Sequence, residues 1–394
     1  MMCQVRLHRG FTLQSTSREM IARLIGFDTV SRHSNLPLIH YVRDYLAGLG
    51  VQSHLVPSAD GKKANLYATV GPNIEGGIIL SGHTDVVPVD GQAWTTDPFV
   101  LSEKDGKLYG RGTCDMKAFS AIALAMVPDM LAADLKRPIH FALSYDEEVG
   151  CIGAPFMIDE MVAKLPRPLA VIVGEPTDMA PIVAHKGVAA LRTRVTGFET
   201  HSSQVHRGVS AVMVAAKLIS FIDDMMAENR AKADPANTFE PPYTTLHVGT
   251  VHGGTALNII SRECTFIWDI RALPGDDWRQ YLTRFEAYVQ TLLPAMQAIA
   301  PETGIQTEVL ADVPYFSDQG GAAQTLVFGL TGQDNGHVVA YGSEAGQFQE
   351  RGLPSVLCGP GSIDQAHQPD EFIEISQVEA CEAFLGRLIG HLST

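Results

Sequence analysis

At 394 residues the chain exceeds the size at which a single hydrophobic core stops growing, about 250 to 300 residues, so two domains are expected. A composition of 45% hydrophobic and 19% charged residues excludes a disordered or fibrous chain, and a formal charge of −15, from 29 basic and 44 acidic residues, repels nucleic acid while suiting metal cations or a cationic small molecule. No uncharged stretch reaches the roughly 18 residues of a membrane-spanning helix, the opening MMCQVRLHRGFTLQS lacks an apolar signal-peptide core, and six cysteines (Cys3, Cys114, Cys151, Cys264, Cys358, Cys381) without a CxxC pair suit a reduced, cytoplasmic protein.

The first residues read as an arm ahead of a helix over 17–30, which Thr16 and Glu19 would open as a capping box. A second helix follows at 36–49. NLYATV, GGIILSGHTDVV, PIHFALSYDEE and LAVIVGEPT read as strands, with helices at 117–133 and 153–164 intervening. This alternation predicts an α/β domain built on a mostly parallel sheet wrapped by helices. From 187 to 312 the pattern changes to strand VAALRTRVTG, helix SAVMVAAKLISFIDDMMAENR, strands TTLHVGTVHGG and ECTFIWDIRAL, helix DDWRQYLTRFEAYVQTLLPAM and strand GIQTEVLADV, a βαββαβ unit with an α+β layer of its own. Beyond it, a helix near 317–331, the stretches GHVVAYGSEA and SVLCGPGS, and a final helix from Ser376 return to α/β character. The chain thus divides into a catalytic domain at 1–186 and 313–394, interrupted by an inserted domain at 187–312. AHKG near 185 and VPYFSD near 313 are the expected hinges.

His83 and Asp85 in SGHTDVVP, Asp115 in GRGTCDMK, Glu147 and Glu148 in SYDEEVG, and Glu175 in VGEPT fall where strand candidates end. Open α/β sheets form their sites at the carboxyl ends of strands. Singly, each has an ordinary reading: HTD a turn, Asp115 a cap for a helix starting near Met116, DEE a solvated loop. Together they point to one crevice. Histidine and carboxylates without thiolates suit zinc, cobalt or manganese better than magnesium or calcium. A metal also explains why a buried strand would end on adjacent carboxylates. Glu148 can be a ligand, neutralised by the cation, while Glu147 stays free to take a proton from activated water and pass it to a leaving amine. Asp85, two residues from His83, is placed to orient that histidine through its second ring nitrogen.

HTDVVP, GRGTCDMK, DEEVG, GEPT and GPGSIDQAHQPDE occur in the order and spacing of the M20 metallopeptidase and deacylase family, which the chain resembles from about residue 15 onward. The ending GPGSIDQAHQPDE, with HKG after GEPT, resembles that family's acetylornithine deacetylase branch. The resemblance implies a dinuclear zinc-peptidase-like fold holding two divalent metal ions per subunit, zinc or cobalt. His83 and Glu175 would bind one and Glu148 and His367 the other, with Asp115 bridging, Glu147 as general acid/base, Asp85 behind His83 and a cis peptide after Asp115. It also implies a homodimer with an inserted dimerisation and lid domain. His201 in GFETHSSQVHRGVSA matches the histidine that reaches the partner's site and stabilises the oxyanion, and Asn258 is a further candidate at that interface. Here Thr200 replaces the usual small residue before that histidine, and Val205 and His206 lie where a proline is common.

Asn258 in GGTALNIIS and Arg271 in DIRALPG match positions that contact substrate, the Arg fork suiting an α-carboxylate. Lys186, Ser343 and Glu344 are further substrate candidates, Glu344 offering a carboxylate to a substrate ammonium. The implied activity is hydrolysis of N-acetyl-L-ornithine to acetate and L-ornithine in arginine biosynthesis. A succinyl-diaminopimelate desuccinylase or a general N-acyl amino acid hydrolase would keep the same metal residues. A non-catalytic binding protein on this fold would be expected to have lost the base or a ligand. His206, His247, His252 and His337 match no ligand motif, and the methionines from Met213 to Met226 read as helix core.

Overall fold

The computed structural model describes residues 16–394; the arm expected ahead of the first helix, with Cys3, lies outside the described residues. Thr16 opens α1 (Ser17–Ile25) with the anticipated capping box. Its hydroxyl accepts the Glu19 N–H at 3.3 Å, and the Glu19 carboxylate accepts the Thr16 N–H at 2.8 Å. The helix stops well short of residue 30 because Gly26, a poor helix former, closes its last turn.

α2 (Leu36–Gly48) leads into β1 (Ser53–Pro57), β2 (Ala64–Val70) and β3 (Ile78–His83). A hairpin of β4 (Ser102–Lys104) and β5 (Lys107–Tyr109) precedes α3 (Lys117–Ala125) and α4 (Val127–Ala132). The single helix expected over 117–133 breaks at Met126, where Pro128 in the first turn of α4 has no N–H to continue the ladder. Then come β6 (Ile139–Ser144), α5 (Ala154–Lys164), β7 (Ala170–Pro176) and β8 (Ile182–His185). β9 (Gly187–Thr196), α6 (Ala211–Ala231), β10 (Thr245–Gly253), β11 (Glu263–Ala272), α7 (Arg279–Gln297) and β12 (Gly304–Val313) follow in βαββαβ order. α8 (Ala322–Thr331), β13 (His337–Val339), α9 (Ala345–Glu350), β14 (Ser355–Gly359), β15 (Phe372–Glu374) and α10 (Ile375–Leu392) complete the chain. α8 starts later than expected because Gly320 and Gly321 hold φ of 62° and 92°.

The large sheet has the order β1-β2-β6-β3-β7-β14-β8-β13. Its centre, β6 to β14, is parallel, with antiparallel joins at β1–β2, β2–β6 and β14–β8. Every residue of β3, β6, β7 and β14 is buried, which is why these strands read as unbroken apolar runs. One face packs on α1, α2, α3, α8 and α10, the other on α5 and α9. At Gly174 a Cβ would lie 2.1 Å from the Phe119 ring, so the glycine lets α3 pack onto β7 beside Glu175.

The second sheet, β10-β11-β9-β12, is antiparallel throughout. β9 and β11 alternate buried and more exposed residues, and the buried set, including Leu191, Phe266 and Trp268, packs with α6 and α7. A third sheet, β15-β5-β4, ties the segment after His367 to the loop leading into α3.

Candidate metal centre

The carboxyl ends of the parallel strands gather side chains that are distant in sequence. His83 ends β3, Glu175 lies near the end of β7, Glu147 and Glu148 follow β6, Asp115 precedes α3, and His367 follows β14. One ligand atom each from His83, Asp115 and Glu175 lies within 4.8 Å of the others, and the same holds for Asp115, Glu148 and His367. Asp115 belongs to both sets. Its Oδ1 is 3.0 Å from His83 Nε2 and its Oδ2 is 3.3 Å from His367 Nε2, while Glu148 Oε2 is 3.1 Å from His367 Nε2. The helix-cap alternative for Asp115 does not hold, because α3 starts without a side-chain cap. The Asp115–Met116 peptide is cis.

So many carboxylates in one buried place demand positive charge. Burial pushes Glu147 up to about 8, against the attraction of His83 and with the repulsion of Glu148 and Asp115. Glu148 rises to about 7 through burial and the charge of Asp115, and Glu175 rises well above the carboxylate range for the same reasons. Hydrogen bonds to Asp115 and Glu148 push His367 up to about 10. Burial would lower His83, but Asp115 beside it holds it well above the usual histidine value. Burial would raise Asp115, but its hydrogen bonds with His367 and His83 hold it below the usual carboxylate range. Glu148 Oε1 is buried without a hydrogen-bond partner. That lone oxygen and the imidazole–carboxylate donor sets fit two divalent cations.

The support around the ligands differs in one detail from expectation. His83 Nδ1 lies 2.9 Å from the main-chain carbonyl of Asp85 and 3.7 Å from its carboxylate. That carboxylate instead accepts the N–H groups of Glu147 at 3.1 Å and Glu148 at 3.3 Å, and the Ser31 hydroxyl at 2.7 Å. Asp85 therefore contacts the histidine through its backbone and the two glutamates through its side chain. Asp146, the first acid of DEE, is paired with Lys63.

Glu371, which sequence reasoning left without a role, organises the loop carrying Asp115. Its Oε1 accepts the N–H groups of Gly112, Cys114 and Asp115 at 3.0, 2.8 and 3.0 Å, and its Oε2 accepts Arg111 Nη1 at 2.6 Å. The signal was the acid closing QPDE, four residues beyond His367. His367 itself sits at φ 64°, its carbonyl held by Gln92 Nε2 at 2.8 Å.

The substrate candidates do not all converge. Lys186 is fully buried and donates to the Pro241 and Tyr243 carbonyls at 2.8 and 2.7 Å, with burial lowering it to about 8. Two of the three donors of its ammonium therefore go to main-chain carbonyls between α6 and β10. Ser343 is also buried and accepts the Ala345 N–H at 3.2 Å at the start of α9. Glu344 accepts the Ser81 hydroxyl at 3.2 Å with Oε2 and leaves Oε1, also buried, unpartnered. Arg271 lies on β11, its Nε donating to Asp269 at 3.2 Å. His201 and Asn258 are exposed and adjacent: the Ser202 N–H donates to the Asn258 carbonyl at 3.0 Å, and His201 Nδ1 lies 2.8 Å from the Ser203 hydroxyl. Among the described residues neither side chain hydrogen-bonds to a candidate metal ligand of its own chain.

The profile of peptidase family M20/M25/M40 matches residues 79–391. Acetylornithine deacetylase of Myxococcus xanthus is 35% identical over 388 residues, covering 95% of this chain and 97% of the relative. That of Pasteurella multocida is 35% identical over 385 residues, covering 95% and 98%. Among solved structures, an M20 family metallo-carboxypeptidase from Sulfolobus solfataricus superposes with a TM-score of 0.75 at 17% identity over 96% of this chain and 99% of that one. Human carnosine dipeptidase 1 gives 0.73 at 15% identity over 96% and 97%.

Proposed function

We propose, from the premise that the chain belongs to peptidase family M20/M25/M40, that it is a dinuclear metal-dependent amidohydrolase cleaving N-acetyl-L-ornithine to acetate and L-ornithine. The observation that carries this reading is the pair of ligand sets sharing Asp115, with Glu147 half-buried beside them and belonging to neither. The substrate is supported by near full-length relatives, 35% identical, that are acetylornithine deacetylases.

His83, Asp115 and Glu175 would hold one cation and Asp115, Glu148 and His367 the other, with zinc or cobalt suited to these donors. Bound there, the cations supply Lewis acidity to the acyl carbonyl and to water. The remaining steps belong to the chain. Glu147 takes a proton from the attacking water and returns it to the amine as the C–N bond breaks, and its place beside both ligand sets while belonging to neither supports both halves of the task. Asp85 holds the backbone of both glutamates in place. His201 of the partner subunit donates to the carbonyl oxygen as negative charge develops there. Arg271 suits the substrate α-carboxylate, Asn258 contributes from the same inserted domain, and the unpartnered oxygen of Glu344 suits an ammonium.

The dimer is supported by the exposure of His201 and Asn258, by the exposed apolar side chains of Val205, Met213 and Leu257, and by β10 at a sheet edge. The same reading divides the chain into a catalytic domain, 1–186 with 313–394, and a dimerisation domain, 187–312. A cytoplasmic place in arginine biosynthesis fits the free thiols Cys114, Cys151, Cys264, Cys358 and Cys381. No helix among the described residues is long and apolar enough to cross a membrane.

The test is hydrolysis by metal-reconstituted protein of N-acetylornithine, succinyl-diaminopimelate and several N-acetyl amino acids, with a chelator control. Chelator-sensitive preference for N-acetylornithine is expected. Equal rates on all N-acetyl amino acids would make it a general aminoacylase, and Glu147→Ala should keep its metal while losing most turnover.

A further inference from the structure

Cys151, which the reaction outlined above leaves unused, closes the turn that carries Glu147. After β6 the chain folds back so that the N–H groups of Gly150 and Cys151 both donate to the Glu147 carbonyl, at 2.9 and 2.8 Å, and that of Ile152 donates to the Asp146 carbonyl at 3.1 Å. The turn is gripped from two sides. Gln347 Nε2 donates to the Cys151 carbonyl at 2.8 Å, and Gly150 packs so closely on β12 that a Cβ there would lie 2.3 Å from Ala311 Cβ. Cys151 adopts φ 53°, a conformation uncommon for a residue with a Cβ. A glycine would adopt it more readily, so the side chain present points to a use for the thiol. Cys151 is 2% exposed, and its Sγ lies 3.1 Å from Glu147 Oε1. Burial pushes the thiol well up, so the sulfur keeps its proton and donates.

We infer that Cys151 is a positioning residue for the hydrolysis: its S–H engages one oxygen of Glu147, Oε1, and leaves the other, Oε2, as the oxygen that exchanges the proton with water and then with the amine. This rests on Glu147 being the base. Asp85 fixes the Glu147 backbone from one side, but the carboxylate lies three side-chain bonds beyond it and needs its own restraint. A thiol is a weak donor. It therefore orients the carboxylate while taking little of its basicity.

The experiment compares Cys151→Ser, Cys151→Val and Glu147→Gln in the full chain loaded with metal, reading kcat, KM, bound metal and melting temperature. Valine keeps the bulk and removes the donor, so kcat should fall about five- to ten-fold, the worth of one hydrogen bond, with KM and metal content unchanged. Serine restores a donor and should return kcat to within a few-fold of wild type. A role in packing alone predicts the opposite order, because a buried hydroxyl suits an apolar niche less well than an isopropyl group. Serine no better than valine, or valine at wild-type kcat, overturns the inference. Glu147→Gln separates the two levels: if it retains turnover, the base assignment itself falls, whereas loss of turnover there with a flat Cys151 series removes only the role of the thiol. Infrared difference spectra give a readout independent of turnover. The S–H stretch, identified as the band lost in Cys151→Ser, should move to higher frequency in Glu147→Gln, and an unmoved band overturns the contact.

Discussion

Exchanging Glu371 for glutamine sets a buried carboxylate against the loop it organises. The side chain is inaccessible, and each of its oxygens is committed, one to the N–H groups of Gly112, Cys114 and Asp115 and the other to Arg111. A glutamine can satisfy only one side. If its oxygen keeps the three main-chain donors, its NH2 meets the guanidinium, donor against donor; if it turns over, the NH2 meets the N–H groups. Hydrogen bonds to a charged group are worth about 1.5 to 3 kcal/mol each, and removing one partner of a buried ion pair costs about 3 to 5 kcal/mol. Arg111 keeps Gln92 Oε1 at 2.6 Å, which places the expected loss at the lower end, about 3 kcal/mol. At roughly 2 to 4 °C per kcal/mol, the melting temperature of chelated protein should fall by about 6 to 12 °C. Because the same loop carries Asp115, shared by both ligand sets, metal affinity should weaken about 10- to 100-fold, and excess metal should recover much of the lost turnover. Scanning calorimetry and competition with a chromophoric chelator measure the two effects. A variant melting within about 2 °C of wild type and holding both metals at full affinity would refute the role given to Glu371.

Asp85→Asn should lower turnover about 10- to 100-fold, since an amide cannot accept the Glu147 and Glu148 N–H groups and the Ser31 hydroxyl as the carboxylate does; kcat and metal content report it together. Asp115→Ala should abolish binding of both metals, whereas Glu175→Ala should spare one, a difference that metal analysis after gel filtration resolves. Acidity should act on the chelated protein through Glu148, Glu147 and His367, raised to about 7, 8 and 10. Groups raised on folding contribute fully below their unfolded values and lose that contribution as pH climbs through the folded ones, so the melting temperature of chelated protein should fall from about pH 5 toward pH 10. Metal replaces those protons, so the gap between loaded and chelated protein should widen over the same range; a gap that narrows contradicts the assignment.

The central sheet was legible because strands covered on both faces leave unbroken apolar runs, as in β3, β6, β7 and β14. β4, β5 and β15 were not, because three-residue strands such as SEK carry neither length nor alternation. His83 and Glu175 stood out as candidates for the same reason as their strands, since a histidine or carboxylate at the end of an apolar run is conspicuous. Glu371 gave no comparable signal: its partners are main-chain N–H groups more than 250 residues earlier, and a backbone donor has no residue type. For Lys186 a motif fixes where the lysine starts, not where its long stem ends, and here two of its three ammonium donors meet the Pro241 and Tyr243 carbonyls.

Two buried carboxylates outside both candidate ligand sets, Asp85 and Glu371, solve the same problem for different segments. Each accepts main-chain N–H groups from the segment bearing the ligands, Glu147 and Glu148 in one case, Gly112, Cys114 and Asp115 in the other. Holding a ligand by its backbone leaves its side-chain oxygens free for a cation, whereas holding it by the side chain would use up the donor. The crossing is over long sequence distance, since Asp85 comes from the segment just after His83 and Glu371 from the segment of His367, so each brace ties two candidate ligand-bearing segments together. Metal binding then meets candidate ligands whose backbones are already fixed, and the cations take the place of the protons that limit repulsion among these carboxylates in chelated protein.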